Sequence, residues 1–213
     1  MSGPTRPLIS YTMNHISLAQ TSINNAAHRA ATTLREGGVV LYPTDTLYGL
    51  AVDATNEHAL ERLLSLKGRD ASKPFSLIVP DVTMLRTHAY ITPLTADLAR
   101  RHLPGALTIL LETRLPFSSL VSKDGATAFR IPNHPFCLAL ARTFGKPYTA
   151  TSANISGKET EATTDAILAQ FGTLSSHIDC IVDAGPLKSS YASTIVDARG
   201  KLPIVLRQGP IIV

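Results

Sequence analysis

Hydrophobic positions along this chain follow a helical period in some segments and form short apolar runs in others. From Asn24 onward, apolar residues recur every three or four positions, which predicts a helix that ends before Gly37. The run VVLYP at residues 39–43 then predicts a strand. The residues that share the helical face are Ala27, Ala30, Ala31 and Leu34.

A second helix is predicted between Asn56 and Gly68. Asn56 is a favourable N-cap residue, and Gly68 suits the left-handed conformation that often ends a helix. The last turn of this helix therefore directs Lys67 toward the segment that follows. The apolar face carries Leu60, Leu63 and Leu64.

The remaining segments continue the alternation at first and then become rich in strands. Helices are predicted near residues 94–103, 135–144 and 165–171, with His134 as the N-cap of the middle one and Pro135 in its first turn. Strands are predicted at FSLIVP, LTILLE, ATAFRIP, PYTA, DCIVDAG, STIVDAR and PIVLRQG. This pattern predicts an α/β fold with a twisted, mixed β-sheet flanked by helices.

Length and composition favour one cytoplasmic domain. With 213 residues, 44% of them hydrophobic, we expect a lead-in or edge strand over residues 1–16 and a single domain over residues 17–213. The formal charge of +4 is compatible with nucleotide or RNA ligands and equally with ordinary solubility. Cys137 and Cys180 lack metal-ligand spacing, so we interpret both as core residues. No apolar run is long enough to cross a membrane.

Candidate chemistry first appears between residues 43 and 73. The hydroxyl-rich loop PTDTLYG leaves the first strand, and Lys67, Arg69 and Lys73 follow within seven residues. Cations at the end of a helix are explained by the helix dipole alone, and the loop alone is explained by a β-turn. A shared cleft would instead make the hydroxyls and the cations a site for an anionic substrate.

Polar groups also follow later strands. The segment Thr151-Ser152-Ala153-Asn154 offers small hydroxyl and amide groups that suit phosphate oxygens, although the signal is weak by itself. Arg130 and Arg207 end predicted strands, where an arginine fork suits a carboxylate or simply faces solvent. The sequence lacks the P-loop, dinucleotide-binding, HExxH and GxSxG signatures, which disfavours ordinary kinases, dehydrogenases, zinc peptidases and hydrolases.

In their order and separation, these segments resemble the YrdC/TsaC family of L-threonylcarbamoyladenylate synthases, in its short single-domain form. The resemblance covers about residues 39–210. Several ordered motifs are more specific than any one of them. The matching motifs are PTDTLYGLAVDA, LKGRDASKP, LPGALT, AFRIPNHP, TSANISG, STIVDARG and LRQGP.

The resemblance implies a YrdC-like fold with a central basic cavity and a nucleotidyltransferase that joins L-threonine, bicarbonate and ATP. The products would be threonylcarbamoyl-AMP, which serves the threonylcarbamoyladenosine modification of tRNA, and pyrophosphate. The implied catalytic residues are Lys67 and Arg69. The implied ATP-binding residues are Lys67, Arg69, Lys73, Ser152, Asn154 and Arg207. The implied threonine-binding residues are Thr46, Arg130 and Ser193.

The implied chemistry joins two anions, the carbamate of threonine and the α-phosphate of ATP. We therefore expect cations, together with Mg²⁺ carried by ATP, to neutralise the charge that develops, while the metal ligands stay unassigned. The chain departs from the family pattern at Leu103, Ala106, Ala126, Tyr191 and Ala192. Ala126 removes a hydroxyl contact to ATP and puts nucleotide affinity in question.

Two other functions remain open at this stage. A noncatalytic RNA- or nucleotide-binding relative would keep the basic cavity without turnover, and weak binding of RNA or tRNA is left open for the synthase as well. A carbamoyl transferase of the same fold is disfavoured, because zinc-finger and acylphosphatase-like segments are lacking. The synthase would also need a downstream threonylcarbamoyl transferase as a partner.

Overall fold

A computed structural model of the chain describes residues 14–188 and 191–213. Helices alternate with strands through most of this length. The α-helices are α1 (Ile23–Arg35), α2 (Glu57–Lys67), α3 (Val82–His88), α4 (Pro93–His102), α5 (Pro135–Phe144) and α6 (Thr164–Phe171), and a 3-10 helix spans Gly172–His177. The strands are β1 (Asn14–Ser17), β2 (Val40–Tyr42), β3 (Gly49–Ala51), β4 (Ser76–Ile78), β5 (Leu107–Glu112), β6 (Ala126–Arg130), β7 (Tyr148–Ser152), β8 (Cys180–Asp183), β9 (Thr194–Asp197) and β10 (Ile204–Arg207).

All of these strands belong to one mixed sheet. Their order is β1-β8-β2-β3-β7-β4-β6-β5-β9-β10. Parallel pairs such as β4–β6 and β5–β9 alternate with antiparallel pairs such as β5–β6 and β9–β10. The prediction of a mixed sheet flanked by helices is therefore confirmed.

Local sequence signals explain where the helices begin and end. The side chain of Asn56 caps α2 by accepting a hydrogen bond from the amide of Ala59 at 3.2 Å, and Gly68 ends α2 with φ of 56°. His134 occupies the N-cap position of α5 but makes no side-chain capping bond. The hydrophobic pattern missed α3 and β3, because α3 has only seven residues and β3 only three.

Helices cover the two faces of the sheet unequally. On one face, alanines of α1 pack against α5 and against the half of the sheet formed by β1, β8, β2 and β3. Small side chains at this contact let the two helices approach closely. The opposite face is buried along its length under apolar residues of α2, α4 and α6. Within residues 14–188 and 191–213, no helix covers the first face over β4, β6, β5 and β9.

Only part of the predicted lead-in or edge strand over residues 1–16 falls within the described residues. Residues 1–13 lie outside the described residues, and residues 14–17 form β1, which pairs with β8 at one edge of the sheet. The single domain over residues 17–213 remains a prediction. Among the described residues, no helix has the length and apolar character required to cross a membrane.

Candidate functional site

A cavity of about 400 Å³ lies over the part of the sheet that the helices leave uncovered. Strand alternation determines which side chains reach it, because every second residue of a strand faces the same side. On β6, Ala126, Ala128 and Arg130 line the cavity, and on the neighbouring β5, Thr108 and Leu110 do so. The floor of the cavity therefore carries small or apolar side chains in its middle and polar side chains where Arg130 and Thr108 pair.

The loop between β2 and β3 forms one end of the cavity. Thr44 organises this loop, since its hydroxyl accepts hydrogen bonds from the amides of Thr46 at 3.0 Å and Leu47 at 3.2 Å. The hydroxyls of Thr44 and Thr46 lie 3.0 Å apart, and both residues are buried. The loop thus places two fixed hydroxyl groups in the cavity wall.

Arg130 is held in place from three directions. Its Nη2 donates to the carboxylate of Asp45 at 2.6 Å, its Nη1 to the hydroxyl of Thr46 at 3.0 Å, and its Nε to the carbonyl of Gly105 at 3.3 Å. Asp45 also accepts a bond from the amide of Asn133. Arg130 is only 7% exposed, so its position is determined before any substrate binds.

Arg69 enters the cavity from the segment that follows α2. Its Nε donates to the carbonyl of Lys73 at 2.8 Å, its Nη2 donates to the carbonyl of Pro74 at 3.2 Å, and its guanidinium stacks 5.1 Å from the ring centre of Phe75. Burial lowers the pKa of Arg69 from its usual value, although the nearby Asp70 acts in the opposite direction. Arg69 is thus oriented by neutral groups.

Lys67 lies behind the cavity wall. Its ammonium donates to the carbonyls of Ser152 at 2.5 Å and Asn154 at 2.7 Å and to the Asn154 side-chain oxygen at 3.1 Å. The residue is 1% exposed, and burial, followed by the charge of Arg69, lowers its pKa to about 7. Its own carbonyl accepts a bond from the amide of Ser156. Lys67 therefore fastens α2 to the loop after β7.

Ser193 and Arg207 form the third polar wall. The hydroxyl of Ser193 lies 2.8 Å from that of Thr108. Arg207 donates to the carbonyl of Ser193 from Nε at 3.1 Å and from Nη2 at 2.8 Å, and Nη2 also reaches the Ser193 hydroxyl at 3.2 Å. Gly209 packs closely here, because a Cβ would lie 2.4 Å from the carbonyl oxygen of Ala192.

Positive charge dominates the cavity lining. The acidic residue in the lining is Asp124, beside the cations Arg69, Lys123, Arg130, Arg199 and Arg207. Arg130 forms a salt bridge with Asp45, and Arg199 forms one with Asp197. Within residues 14–188 and 191–213, Arg69 and Arg207 form no salt bridge. Their charge is uncompensated, which favours binding of an anion.

The structure brings together six of the nine site residues predicted from the sequence. The residues that line the cavity are Thr46, Arg69, Arg130, Ser152, Ser193 and Arg207, whereas Lys67, Lys73 and Asn154 do not line it. Lys73 is exposed and contributes its carbonyl to Arg69. The binding roles assigned to all nine stay predictions. Ala126 and Ala192, two departures from the family pattern, both lie in the lining.

Sequence reasoning missed Thr108 and the role of Asp45. Thr108 stands two positions before Leu110 in LTILLE, so strand alternation would have put both on one face. Asp45 was interpreted as a turn residue. Its partner Arg130 is 85 residues away, and no local signal connects the two.

The described residues offer no preformed metal centre, since they contain no group of three or more His, Cys, Asp or Glu side chains that could hold an ion. Mg²⁺ is commonly held by substrate phosphates and water with only one or two protein groups. Hydroxyls of Ser152 and Thr151 and the carboxylate of Asp124 in the lining are compatible with such a phosphate-borne ion.

Comparison with known proteins gives consistent results. Residues 32–209 match the family model Sua5/YciO/YrdC, whose description reads "Telomere recombination". A threonylcarbamoyl-AMP synthase of Nitrosococcus oceani is 37% identical over 174 residues, which cover 80% of this chain and 91% of that protein. The threonylcarbamoyl-AMP synthase of Bacillus subtilis is 36% identical over 186 residues, which cover 86% of this chain.

A solved structure is also similar. Sua5 of Pyrococcus abyssi in complex with L-threonine superposes with a TM-score of 0.82 at 31% identity, covering 92% of this chain and 57% of that one. The chain spans about half the length of the relatives from Bacillus subtilis and Pyrococcus abyssi, 53% in each case.

Proposed function

Because the chain belongs to the Sua5/YciO/YrdC family, we propose that it is a threonylcarbamoyl-AMP synthase, a nucleotidyltransferase that uses ATP and L-threonine. The observation that carries the proposal is a pair of arginines, Arg69 and Arg207, that line one cavity and form no salt bridge with any described residue. Relatives named for this activity and the threonine complex of a similar structure support the same substrates.

The reaction requires two bond-forming steps. The amine of threonine attacks the carbon of bicarbonate, a C–N bond forms, and water leaves, which gives an anionic carbamate. A carbamate oxygen then attacks the α-phosphorus of ATP, and the bond to the leaving pyrophosphate breaks. Both partners of the second step are anions, and their electrostatic repulsion raises the energy barrier of the reaction. Cations positioned beside them lower this barrier.

The protein would supply position and charge. Arg130 and the hydroxyls of Thr46 and Ser193 would hold threonine, because Arg130 already presents a fixed guanidinium between them. Arg69 and Ser152, which also line the cavity, would contact the phosphates. Lys67 and Asn154 would contribute by fixing the loop that carries Ser152, and the exposed Lys73 by orienting Arg69. No covalent nucleophile is required.

Mg²⁺ would arrive bound to ATP. When bound, it would draw negative charge from the phosphates and the leaving pyrophosphate. We therefore expect chelation of Mg²⁺ to stop pyrophosphate release while the protein remains folded, which circular dichroism would check.

The product would be consumed by a threonylcarbamoyl transferase that modifies tRNA, and a cytoplasmic setting follows from that role. Direct binding of tRNA is expected to be weak, because no long run of Lys or Arg residues in the sequence marks a stripe for the phosphate backbone.

The decisive assay is pyrophosphate release in the presence of ATP, Mg²⁺, bicarbonate and threonine. Release should require threonine and bicarbonate, and mass spectrometry should detect threonylcarbamoyl-AMP. Release that proceeds equally without threonine would overturn the proposal. Tight RNA binding without any nucleotide turnover would instead support the noncatalytic alternative.

A further inference from the structure

The segment that connects β5 to β6 ends in a tight turn that brings a carboxylate into the cavity lining. The amide of Lys123 donates to the carbonyl of Ala126 at 2.9 Å, and the amide of Ala126 donates back to the carbonyl of Lys123 at 2.9 Å. The two residues between them have positive φ, 52° at Asp124 and 71° at Gly125. Aspartate and glycine suit such a two-residue turn. Asp124 lines the cavity and is exposed, so it lies at the rim.

Hydrogen bonds from other segments hold this turn in place. Thr113 donates to the carbonyl of Gly125 from its amide at 2.9 Å and from its hydroxyl at 3.0 Å. A few residues before the turn, the carbonyl of Leu120 accepts a bond from the amide of Phe75 at 2.7 Å. Because the backbone is bound on both sides of Asp124, the position of this residue is determined before any substrate binds.

The carboxylate of Asp124 is available to a ligand. The nearby Arg199 is bound by Asp197 instead, at 3.0 Å from Nε and 2.6 Å from Nη2. These bonds to Asp197 chiefly raise the pKa of Arg199, and the charge of Asp124 adds to the effect. Within residues 14–188 and 191–213, no group donates a hydrogen bond to the carboxylate of Asp124. Both of its oxygens can therefore accept hydrogen bonds from a bound molecule.

Charge restricts which part of the substrates can lie beside Asp124. A carboxylate repels phosphate groups and the carboxylate of threonine, and these anions have Arg69 and Arg130 in the same lining. The part of ATP that carries no charge is the nucleoside. A carboxylate only accepts hydrogen bonds, so it needs a donor on the nucleoside. The two neighbouring ribose hydroxyls offer one donor to each carboxylate oxygen.

The floor of the cavity between Asp124 and Arg130 suits the rest of the nucleoside. Ala126 and Ala128 precede Arg130 on the same face of β6, and Leu110 of β5 pairs with Ala128. At about 3.3 Å per residue, Ala126 and Arg130 lie roughly 13 Å apart along the strand. This stretch of the floor carries no charge and only small or apolar side chains. It can therefore accept a sugar and a flat base next to the anion-binding groups.

On the premise of the proposed function, we propose that Asp124 binds the 2′- and 3′-hydroxyls of the ribose of ATP and so selects ribonucleotides over deoxyribonucleotides. Dinucleotide-binding proteins use an acidic side chain on the ribose in the same way. Asp124 determines specificity and takes no part in making or breaking bonds. Sequence reasoning gave it no role, because an Asp-Gly pair is explained by the turn alone.

The first experiment measures the dissociation constants of ATP, 2′-deoxy-ATP and 3′-deoxy-ATP by calorimetric titration. Asp124→Gly removes the carboxylate and keeps the turn, because glycine readily adopts positive φ. Asp165→Asn, in the exposed first turn of α6, is the control for loss of an acidic charge. In the wild type and the control, loss of either hydroxyl should weaken binding about five-fold or more, because a hydrogen bond to a charged group is lost.

In Asp124→Gly, the three nucleotides should bind within about two-fold of one another, because the partner of the hydroxyls is gone. Asp124→Asn also suits the turn and removes the charge, so it should weaken the preference for ATP as well. A preference for ATP that is as large in both variants as in the wild type would overturn the inference.

Two further measurements separate the ribose from the other groups that a carboxylate could bind. Purine riboside triphosphate lacks the amine of adenine, so Asp124→Gly should weaken its binding by the same factor as that of ATP. An unchanged affinity for this analogue would assign the carboxylate to the amine and overturn the inference. When EDTA replaces Mg²⁺, the wild type should still prefer ATP over 2′-deoxy-ATP. Loss of the preference would assign Asp124 to the metal ion instead.

Because these titrations need no turnover, they separate the ribose subsite from the proposed function. Threonine-dependent pyrophosphate release by a wild-type protein that binds ATP and 2′-deoxy-ATP equally would reject the subsite alone. A preference for ATP that depends on Asp124, without threonine-dependent pyrophosphate release, would reject the proposed function alone. Absence of any ATP binding would overturn both.

Discussion

Arg130 and Arg207, two arginines of the cavity lining, differ in how their positive charge is compensated. Arg130 forms a salt bridge with Asp45 at 2.6 Å and is 7% exposed, whereas Arg207 is bound by the carbonyl and hydroxyl of Ser193 and forms no salt bridge in the described structure. A compensated arginine is a rigid recognition group that adds little net charge. An arginine without a salt bridge, such as the exposed Arg207, keeps its charge available to attract an anion.

Lys67 shows a third way in which the protein binds a positively charged side chain. Its ammonium contacts three oxygen atoms of the loop at Ser152 and Asn154 and no carboxylate. The sequence interpretation treated Lys67 as a cation at the end of a helix, a position that the helix dipole alone can explain. In the structure, the side chain is 1% exposed and binds the loop instead. Of the predicted Lys67 and Arg69 pair, only Arg69 reaches the cavity.

The strongest test of the comparison removes an uncompensated cation. Arg69→Ala should reduce kcat/KM for pyrophosphate release by about 100-fold or more, because electrostatic stabilisation of a developing anion commonly contributes that much. Arg100→Ala on the outer surface serves as the control for loss of an arginine. A loss below ten-fold would remove Arg69 from the phosphate site.

Lys67→Met should reveal the energetic consequence of burying an ammonium. Burial lowers the pKa of Lys67 to about 7 from an unfolded value of 10.5, so between these pH values the unfolded chain binds more protons than the folded one. The stability of the wild type should therefore rise with pH across this window, relative to the Met variant, by at most ~1.4 kcal/mol per pH unit. Urea unfolding at pH 7, 8 and 9 measures it.

A constant stability difference between wild type and Lys67→Met over that pH range would mean that Lys67 keeps its proton throughout. The contacts with the loop would then hold a permanent ammonium.

Arg130→Lys tests the arginine whose charge is compensated by a salt bridge with Asp45. Lysine can keep the salt bridge with Asp45 but cannot also donate to Thr46 and Gly105 in the same plane. The affinity for threonine should fall about ten-fold, and that for ATP should change by less than about three-fold. Calorimetric titration of each ligand would show this split, and a larger loss for ATP would assign Arg130 to the nucleotide.

Ser193→Ala should have the smallest effect. The variant loses the hydroxyl contact with Thr108 and one of the bonds from Arg207, while the carbonyl that holds Arg207 remains. One hydrogen bond contributes about 1 kcal/mol, so kcat/KM should fall several-fold. A loss as large as that of Arg69→Ala would show that the hydroxyl itself contacts a reacting group.

Local sequence signals predicted much of the fold. The bounds of α2 follow from Asn56 and Gly68, and those of α5 from Pro135 and Gly145, because caps act within one turn of the helix. The motifs also indicated the correct family. Short elements such as α3 and β3 were not predicted, because a few residues show too little hydrophobic periodicity to identify a helix or a strand.

The sequence by itself determined most helices and strands, the family and the residue types available for anion binding. Only the tertiary structure decided which of those residues meet. It buried Lys67 against a loop more than 80 residues away, paired Asp45 with Arg130, and used a bulge in β10 to turn Arg207 into the cavity. The physical reason is range: caps and periodicity act between near neighbours, whereas burial and charge compensation depend on strands brought together by the sheet.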